Sequence, residues 1–198
     1  MSGLSPSIRL LRDLVAIPSV NPMGREDLPP AIVGEERIAR FVADELARRH
    51  LDVALLGQDG RTSVLATARA GAGAETVLIA SHLDTVPVDG MEIDPFDPFI
   101  EGDRLHGRGS CDTKSGMAAL LEALGRVLDR GTLAKNVIVV GEADEEHRSV
   151  GAFDVLAALG DAPPDWAIAT EPTGLRLIHA HKGVVHARIR ARGRAVAR

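Results

Sequence analysis

Residues 76–87 read Thr-Val-Leu-Ile-Ala-Ser-His-Leu-Asp-Thr-Val-Pro, an apolar run that ends in His82 and, two residues later, in Asp84. Two further apolar runs, at 137–140 and 166–170, also lead into acidic residues. Short apolar runs of this kind are typical of buried strands, and the ligands of open α/β sheets collect beyond the carboxyl ends of the strands. The repeated pattern therefore predicts a sheet with a functional site at the carboxyl ends of its strands.

Helix and strand patterns alternate around these runs. Apolar residues recur at helical spacing in four segments, and short apolar runs bounded by turn residues mark five strands. The loop Ala70-Gly-Ala-Gly73 is typical of a hairpin between its flanking strands, so the first part of the sheet is predicted to be antiparallel. The pattern predicts a layered α/β domain. Its helices are predicted at 6–16, 34–50, 115–129 and 149–159, the last capped by Ser149, and its strands at 52–56, 62–69, 75–81, 136–141 and 166–170.

The composition is that of a globular protein, with 45% apolar residues and a net charge of −5 over 198 residues. No apolar run approaches the about 18 residues of a membrane span, and the first residues lack the basic and apolar regions of a secretory signal. The single cysteine, Cys111, excludes an intrachain disulfide, and we expect it to be a small buried side chain. The sequence predicts a cytoplasmic protein without membrane contact, and its mild acidity argues against a nucleic-acid partner.

Arginines crowd the end of the chain, where they alternate with small and apolar side chains. A period of two residues is typical of a half-buried strand with one solvated face. A patch that binds anions or nucleic acid is the alternative interpretation. The arginines concerned are Arg188, Arg190, Arg192, Arg194 and Arg198.

The acidic residues and the histidine at the strand ends suit a hydrolytic centre with two divalent metal ions. Such a centre needs imidazole and carboxylate ligands, a bridging carboxylate, and a free carboxylate that takes a proton from water. His82 offers a ligand nitrogen, and Asp84, on the same face of an extended segment, could hold the other ring nitrogen. Asp112 could bridge two cations. The adjacent side chains of Glu145 and Glu146 point in different directions, so one could bind metal while the other faces water, and a terminal carboxylate could come from Glu171.

Four segments of the sequence resemble, in the same order along the chain, motifs of the di-metal amidohydrolase family that includes acetylornithine deacetylase, succinyl-diaminopimelate desuccinylase, aminoacylase and carboxypeptidase G. The stretches LVAIPSVNP, VDGMEIDPF and AHKGV are also similar to that family, so the resemblance covers nearly the whole chain. It implies a zinc-peptidase-like catalytic domain, in which a mixed sheet with helices on both faces makes three α/β layers. The four segments are SHLDTVP at 81–87, GRGSCDTKSGMAA at 107–119, EADEE at 142–146 and ATEPT at 169–173.

The resemblance implies two divalent metal ions, zinc by preference, with cobalt or manganese as alternatives. It assigns His82, Asp112 and Glu171 to one ion. Asp112 bridges to the second ion, which Glu146 also binds. The resemblance further implies a cis peptide bond between Asp112 and Thr113.

The implied reaction is hydrolysis of the amide bond in an N-acyl amino acid or a small peptide. Asp84 orients the imidazole of His82. Glu145 is the general acid and base, which takes a proton from the water between the metals and returns it to the departing amine. The stretch at 88–96 favours the acetylornithine-deacetylase-like branch of the family.

The chain also departs from the family, whose members are longer and return to the catalytic domain after a lid or dimerisation domain. We expect residues 1–183 to form the N-terminal, incomplete part of the catalytic domain and residues 184–198 to begin the lid with its first strand. The second metal's histidine lies in the returning segment, so the isolated chain is expected to complete one metal site and to have little amidase activity. The parent protein is expected to be a homodimer. A catalytically silent metal-binding or interaction module derived from this family is the alternative.

Overall fold

The computed structural model describes residues 3–58, 60–180, 182–183, 185, 187, 189–190 and 192–193. Within these residues, every helix and strand that the apolar patterns predict between residues 6 and 170 is confirmed, with small shifts at the ends. The helices are α1 (Pro6–Ala16), α2 (Glu36–Ala47), α3 (Lys114–Asp129) and α4 (Val150–Leu159). The strands are β1 (Asp52–Gln58), β2 (Arg61–Ala68), β3 (Thr76–His82), β4 (Phe99–Glu101), β5 (Arg104–His106), β6 (Asn136–Glu142) and β7 (Trp166–Ala169).

Five strands form one mixed sheet in the order β1-β2-β6-β3-β7. The pairs β1–β2 and β2–β6 are antiparallel, which confirms the prediction that the first part of the sheet is antiparallel. The pairs β6–β3 and β3–β7 are parallel. Because β3, β6 and β7 run in the same direction, their carboxyl ends meet at one edge of the sheet.

The hairpin predicted at residues 70–73 is wrong, because β6 lies between β2 and β3. Residues 137–141 of β6 are all buried, and a strand that is apolar on both faces takes the centre of a sheet. The chain between β2 and β3 instead passes the start of β6. There the Asn136 side chain accepts a hydrogen bond from the Ala70 amide at 3.0 Å and donates one to the Ala74 carbonyl at 3.0 Å.

Helices cover both faces of the sheet, as the three-layer prediction requires. On one face α1, α2 and α3 share a core with Val137 and Val139 of β6. On the other face α4 packs on Ile138 and Val140 through Val155. The alternation along β6 follows from the period of two in a strand, and each buried Val or Leu stabilises the fold by about 1.5–3 kcal/mol.

A two-stranded antiparallel hairpin of β4 and β5 lies in the long loop after Pro87 and was not predicted. Each of its strands has three residues, which is too short for an alternating pattern to be recognised in the sequence. The ring of His106 stacks on Phe99 with the ring centroids 4.8 Å apart.

Two side chains differ from the sequence predictions. Cys111 is exposed rather than buried, because the buried positions where α3 begins are taken by Thr113 and Lys114. Ser149 precedes α4 but makes no capping hydrogen bond to it, since its backbone is left-handed with φ 53°. Its hydroxyl instead donates to the Glu145 carbonyl at 3.4 Å.

The segment from residue 184 onward was predicted to be the first strand of a lid. Its described residues 185, 187, 189–190 and 192–193 carry no strand, and Val185 and Ile189 are almost fully exposed. The rest of this segment, 184, 186, 188, 191 and 194–198, lies outside the described residues, so the lid strand and the domain boundary stay predictions. None of the helices in the described ranges has both the length and the apolar composition needed to cross a bilayer.

The start of α3 packs against the backbone that follows β7, and Gly116 permits this contact. A Cβ atom at Gly116 would lie 2.2 Å from Thr170 Oγ1 and 2.7 Å from the Thr170 carbonyl oxygen. We expect Gly116→Ala to lower the free energy of unfolding by about 1–3 kcal/mol, the usual cost of overpacking. Urea denaturation of the chain measures this change.

Gly125 provides a matched control within α3. A Cβ atom there meets the flexible Arg49 side chain, whose Nε is 2.8 Å away, rather than backbone. We expect Gly125→Ala to be neutral or stabilising, because alanine has the higher helix propensity. Equal losses of stability in Gly116→Ala and Gly125→Ala would contradict the proposed contact.

Candidate metal centre

The candidate site lies where β3 and β6 end side by side, with His82 and Glu142 in register. His82 is the last residue of β3. The residue is only 4% exposed, so the fold fixes its position. The other predicted site residues come from loops at the same edge. Asp84 follows β3, Asp112 precedes α3, Glu145 and Glu146 lie in the turn after β6, and Glu171 follows β7.

Three of the predicted ligands are brought together. One ligand-type atom from each of His82, Asp112 and Glu146 lies within 4.8 Å of the others. The distance from His82 Nε2 is 3.0 Å to Asp112 Oδ1 and 3.9 Å to Glu145 Oε2. Glu171 is not a member of this group, although it is close enough for the charges of His82 and Asp112 to act on its pKa.

The hydrogen bonds of His82 leave a place for a cation. Its Nδ1 lies 2.9 Å from the Asp84 carbonyl oxygen, which can only accept, so Nδ1 carries the hydrogen. In the neutral ring Nε2 then carries a lone pair and can only accept. It faces the Asp112 carboxylate, which can also only accept. Either a proton or a metal ion must lie between these two atoms. Burial lowers the pKa of His82, but the side chain of Asp84, the charge of Glu145 and the hydrogen bond with Asp112 raise it to about 10.

Carboxylates are crowded around this cluster, and the pKa values of three of them are raised. Burial raises the pKa of Glu142 to about 7, and the charges of Glu145 and Asp84 add to the effect. Burial also raises the pKa values of Glu146 and Glu171, again with help from neighbouring carboxylates. Concentrated negative charge with one imidazole is the donor set of a divalent cation site.

Asp84 lies beside His82 Nδ1 with both its backbone carbonyl and its carboxylate, and its proposed role in orienting the imidazole stays a prediction. The Asp84 Oδ1 atom is 3.6 Å from His82 Nδ1, whereas the carbonyl oxygen is at 2.9 Å. The carboxylate instead accepts hydrogen bonds from the backbone amides of Glu145 and Glu146, both at 3.1 Å. Asp84 therefore connects the loop after β3 to the turn after β6.

Buried groups also fix the approach to Asp112. The peptide bond between Asp112 and Thr113 is cis, as the family resemblance implies. The Lys114 ammonium donates to the carbonyls of Leu14 at 3.1 Å and Ile17 at 2.8 Å, which joins the start of α3 to the end of α1. Burial lowers the pKa of Lys114 to about 7. No sequence pattern predicts this contact, because a lysine at a helix start is ordinarily exposed.

A buried ion pair lies behind the turn after β6. Glu35 is fully buried, and its carboxylate is paired with Arg61. Arg61 also lies 3.7 Å from the Asp144 carboxylate. Burial raises the pKa of Glu35 from 4.5 to about 7, although the charge of Arg61 opposes this shift.

This shift predicts a pH dependence of stability. Because the folded pKa of Glu35 is above its unfolded value, the native state keeps a proton that the unfolded state has lost between pH 4.5 and about 7. Stability from this group is therefore full below pH 4.5 and is lost as the pH rises to about 7. We expect Glu35→Gln to gain stability relative to the wild type over this interval. Urea denaturation at several pH values measures the difference.

Glu36→Gln is the control, because it removes one carboxylate from the neighbouring, exposed position. Its difference from the wild type should stay constant over the same interval. A Glu35→Gln curve that runs parallel to the wild-type curve would contradict the assignment.

Comparison with known proteins agrees with this geometry. Residues 78–195 match the model of peptidase family M20/M25/M40. The chain is 34% identical over 202 residues to an acetylornithine deacetylase of Klebsiella pneumoniae (strain 342), which covers 98% of this chain and 50% of the relative. It is 39% identical over 132 residues to that of Erwinia tasmaniensis, which covers 65% of this chain and 33% of the relative. The chain thus spans about half the length of the curated relatives it matches.

Solved structures share the fold. An M20 family metallo-carboxypeptidase from Sulfolobus solfataricus aligns with a TM-score of 0.71 and 26% identity, over 84% of this chain and 37% of that one. Human carnosine dipeptidase 1 aligns with a TM-score of 0.69 and 24% identity, over 83% of this chain and 38% of that one. The three-layer domain described above therefore aligns with less than half of each of these two chains. The chain belongs to peptidase family M20/M25/M40, a family of metal-dependent peptidases and amidohydrolases.

Proposed function

We propose that this chain supplies the metal-binding part of a hydrolase that cleaves the amide bond of N-acyl amino acids or small peptides, with an acetylornithine-like compound as the first candidate substrate. The observation that carries the proposal is the group of His82, Asp112 and Glu146 at the sheet edge, in a chain whose relatives include acetylornithine deacetylases. Cytoplasmic location and a homodimeric parent protein stay predictions from the sequence.

Two divalent ions fit the residues that meet here. His82, Asp112 and Glu171 are proposed to hold one ion, and Glu146 to hold the second together with the bridging Asp112. Zinc suits an imidazole and carboxylate set, and cobalt or manganese would also fit it. The facing lone pairs of His82 Nε2 and Asp112 Oδ1 support a cation at this position.

Glu145 is proposed to move the proton during hydrolysis. Its side chain is 43% exposed, so water reaches it, and its Oε2 lies 3.9 Å from His82 Nε2 beside the cluster. The carboxylate takes a proton from the attacking water and passes it to the departing amine. Asp84 holds the Glu145 amide and so sets where this carboxylate lies. Bound metal ions supply the positive charge that polarises the substrate carbonyl and acidifies water.

The experiment uses a fusion in which this chain replaces the segment of the K. pneumoniae acetylornithine deacetylase that it aligns with, which is 50% of that protein. We expect the metal-loaded fusion to release acetate from N-acetylornithine, and we expect little release from the isolated chain. A folded, metal-loaded fusion that hydrolyses no N-acyl amino acid or dipeptide would contradict the proposed reaction and favour a silent metal-binding module. Calorimetric titration of the isolated chain with Zn²⁺ tests the metal centre separately.

A further inference from the structure

The side chain of Asn21 lies buried between two carboxylates next to the candidate metal centre, those of Asp84 and Asp144. Its Nδ2 donates to Asp84 Oδ2 at 2.7 Å and to Asp144 Oδ1 at 2.9 Å. Its Oδ1 accepts from the Met23 amide at 2.9 Å and from Arg61 at 3.3 Å. Both donors and both acceptor positions of the amide are therefore in use, which fixes its orientation.

The two carboxylates are the anchors of the turn that carries Glu145 and Glu146. One anchor is Asp84, which accepts the backbone amides of both glutamates at 3.1 Å. The other anchor is Asp144, which has a left-handed backbone with φ 62° and whose carbonyl accepts the Ser149 amide at 2.6 Å. Both aspartates thus share the Asn21 side-chain amide as a hydrogen-bond donor.

The electrostatics make this amide hard to replace. Asp84 is fully buried and Asp144 is 2% exposed, so little solvent screens them from each other. The two N–H groups of Asn21 lie between them, and Arg61 is 3.7 Å from Asp144. Without these donors each buried carboxylate would lose a hydrogen-bond partner that water could not replace. The two carboxylates would then move apart or take up protons.

The backbone around Asn21 is held as well, so the side chain cannot easily shift. The backbone N–H of Asn21 donates to the Thr85 carbonyl at 2.8 Å, and the backbone N–H of Thr85 donates to the Ser19 carbonyl at 3.0 Å. Val20 bridges to Thr85 on one side and to Val33 on the other. The segment is therefore a short extended piece beside the loop that carries Asp84.

We propose that Asn21 is a positioning residue of the metal centre, which aligns the Asp84 and Asp144 carboxylates and thereby the turn that presents Glu145 and Glu146. This inference rests on the proposed function for its consequence at the metal, but the alignment itself is a property of the metal-free chain. The hydrogen bonds of the Asn21 side chain described above go to none of the proposed metal ligands, so it acts through the two aspartates.

Asn21→Leu tests the alignment, because leucine has a similar shape without charge or hydrogen-bonding groups. The matched control is Asn136→Leu at the opposite end of β6, where the amide also makes backbone hydrogen bonds with both of its polar atoms. In the metal-free chain we expect Asn21→Leu to speed hydrogen exchange of the Glu145 and Glu146 amides at least tenfold, and Asn136→Leu to leave it unchanged. Equal exchange at these amides in the wild type and Asn21→Leu would overturn the proposal.

Titration with Zn²⁺ tests the effect on the metal. Residues that orient ligands typically change metal affinity by about 10- to 100-fold, so we expect a loss of this size in Asn21→Leu and none in Asn136→Leu. Asn21→Ser keeps one donor and should give an intermediate loss, which also covers the case in which the leucine variant does not fold. Wild-type protein that binds no Zn²⁺ would contradict the proposed function alone, because the exchange measurement still decides the role of Asn21. Equal losses in the Asn21 and Asn136 variants would overturn the positioning role.

Discussion

Replacing Glu145 by glutamine is expected to lower the kcat of the metal-loaded fusion protein for N-acetylornithine by about 100- to 10,000-fold, the usual contribution of a general acid or base. Glutamine has nearly the same shape, and its amide oxygen can still accept hydrogen bonds. The amide cannot take a proton from water. The Glu145 backbone amide, which Asp84 holds at 3.1 Å, is unaffected by the substitution. Steady-state kinetics and Zn²⁺ titration of the same protein measure the two effects.

The expected change lies in kcat, because the proton is moved during the reaction and not when the substrate binds. The affinity for Zn²⁺ should stay close to that of the wild type. Glu101→Gln, at a carboxylate that is 80% exposed in β4, controls for the loss of one negative charge. Unchanged kcat in the Glu145 variant, with both metals bound, would exclude Glu145 as the proton carrier.

Replacing Asp112 by asparagine is expected to lower the affinity of the isolated chain for Zn²⁺ by more than about 100-fold, since removal of a ligand should exceed the effect of residues that only orient ligands. The substitution removes the negative oxygen that lies 3.0 Å from His82 Nε2. It also weakens a hydrogen bond that raises the pKa of His82. The first effect weakens metal binding and the second favours the neutral imidazole, and the lost ligand should be the larger effect.

Asp129→Asn at the other end of α3 is the matched control, because it removes the same charge at the end of the helix that lies away from the cluster. Its affinity for Zn²⁺ should equal that of the wild type. Calorimetric titration of both variants at one pH decides the comparison. An Asp112→Asn chain that binds Zn²⁺ as tightly as the control would exclude Asp112 as a ligand.

The sequence predicted the layers and the site edge because both depend on short-range patterns. The apolar runs that end in His82 and Glu142 form the strands β3 and β6, and parallel pairing places their ends together. The neighbours of β2 could not be predicted in the same way. A Gly-rich loop at 70–73 is equally compatible with a hairpin and with a connection that passes another strand, and only the full burial of β6 decides between them.

The polar contacts behind the site were beyond reach for a related reason. Asn21 is separated from Asp84 by 63 positions and from Asp144 by 123, so no local pattern connects them. The stretch that contains Asn21 was recognised only as similar to a family. Lys114 and Glu35 resemble ordinary surface residues in the sequence, and their burial follows from packing that local patterns do not encode.

Strand β7 has a consequence for handling the protein. Among the described residues it pairs only with β3, and its four residues are exposed, including Trp166 at 61% and Ile168 at 51%. An apolar strand with a free row of backbone donors and acceptors is a template for edge-to-edge association between molecules. Such association grows faster than linearly with protein concentration. Dilute solutions are therefore the conditions in which titrations and denaturation curves report on single chains.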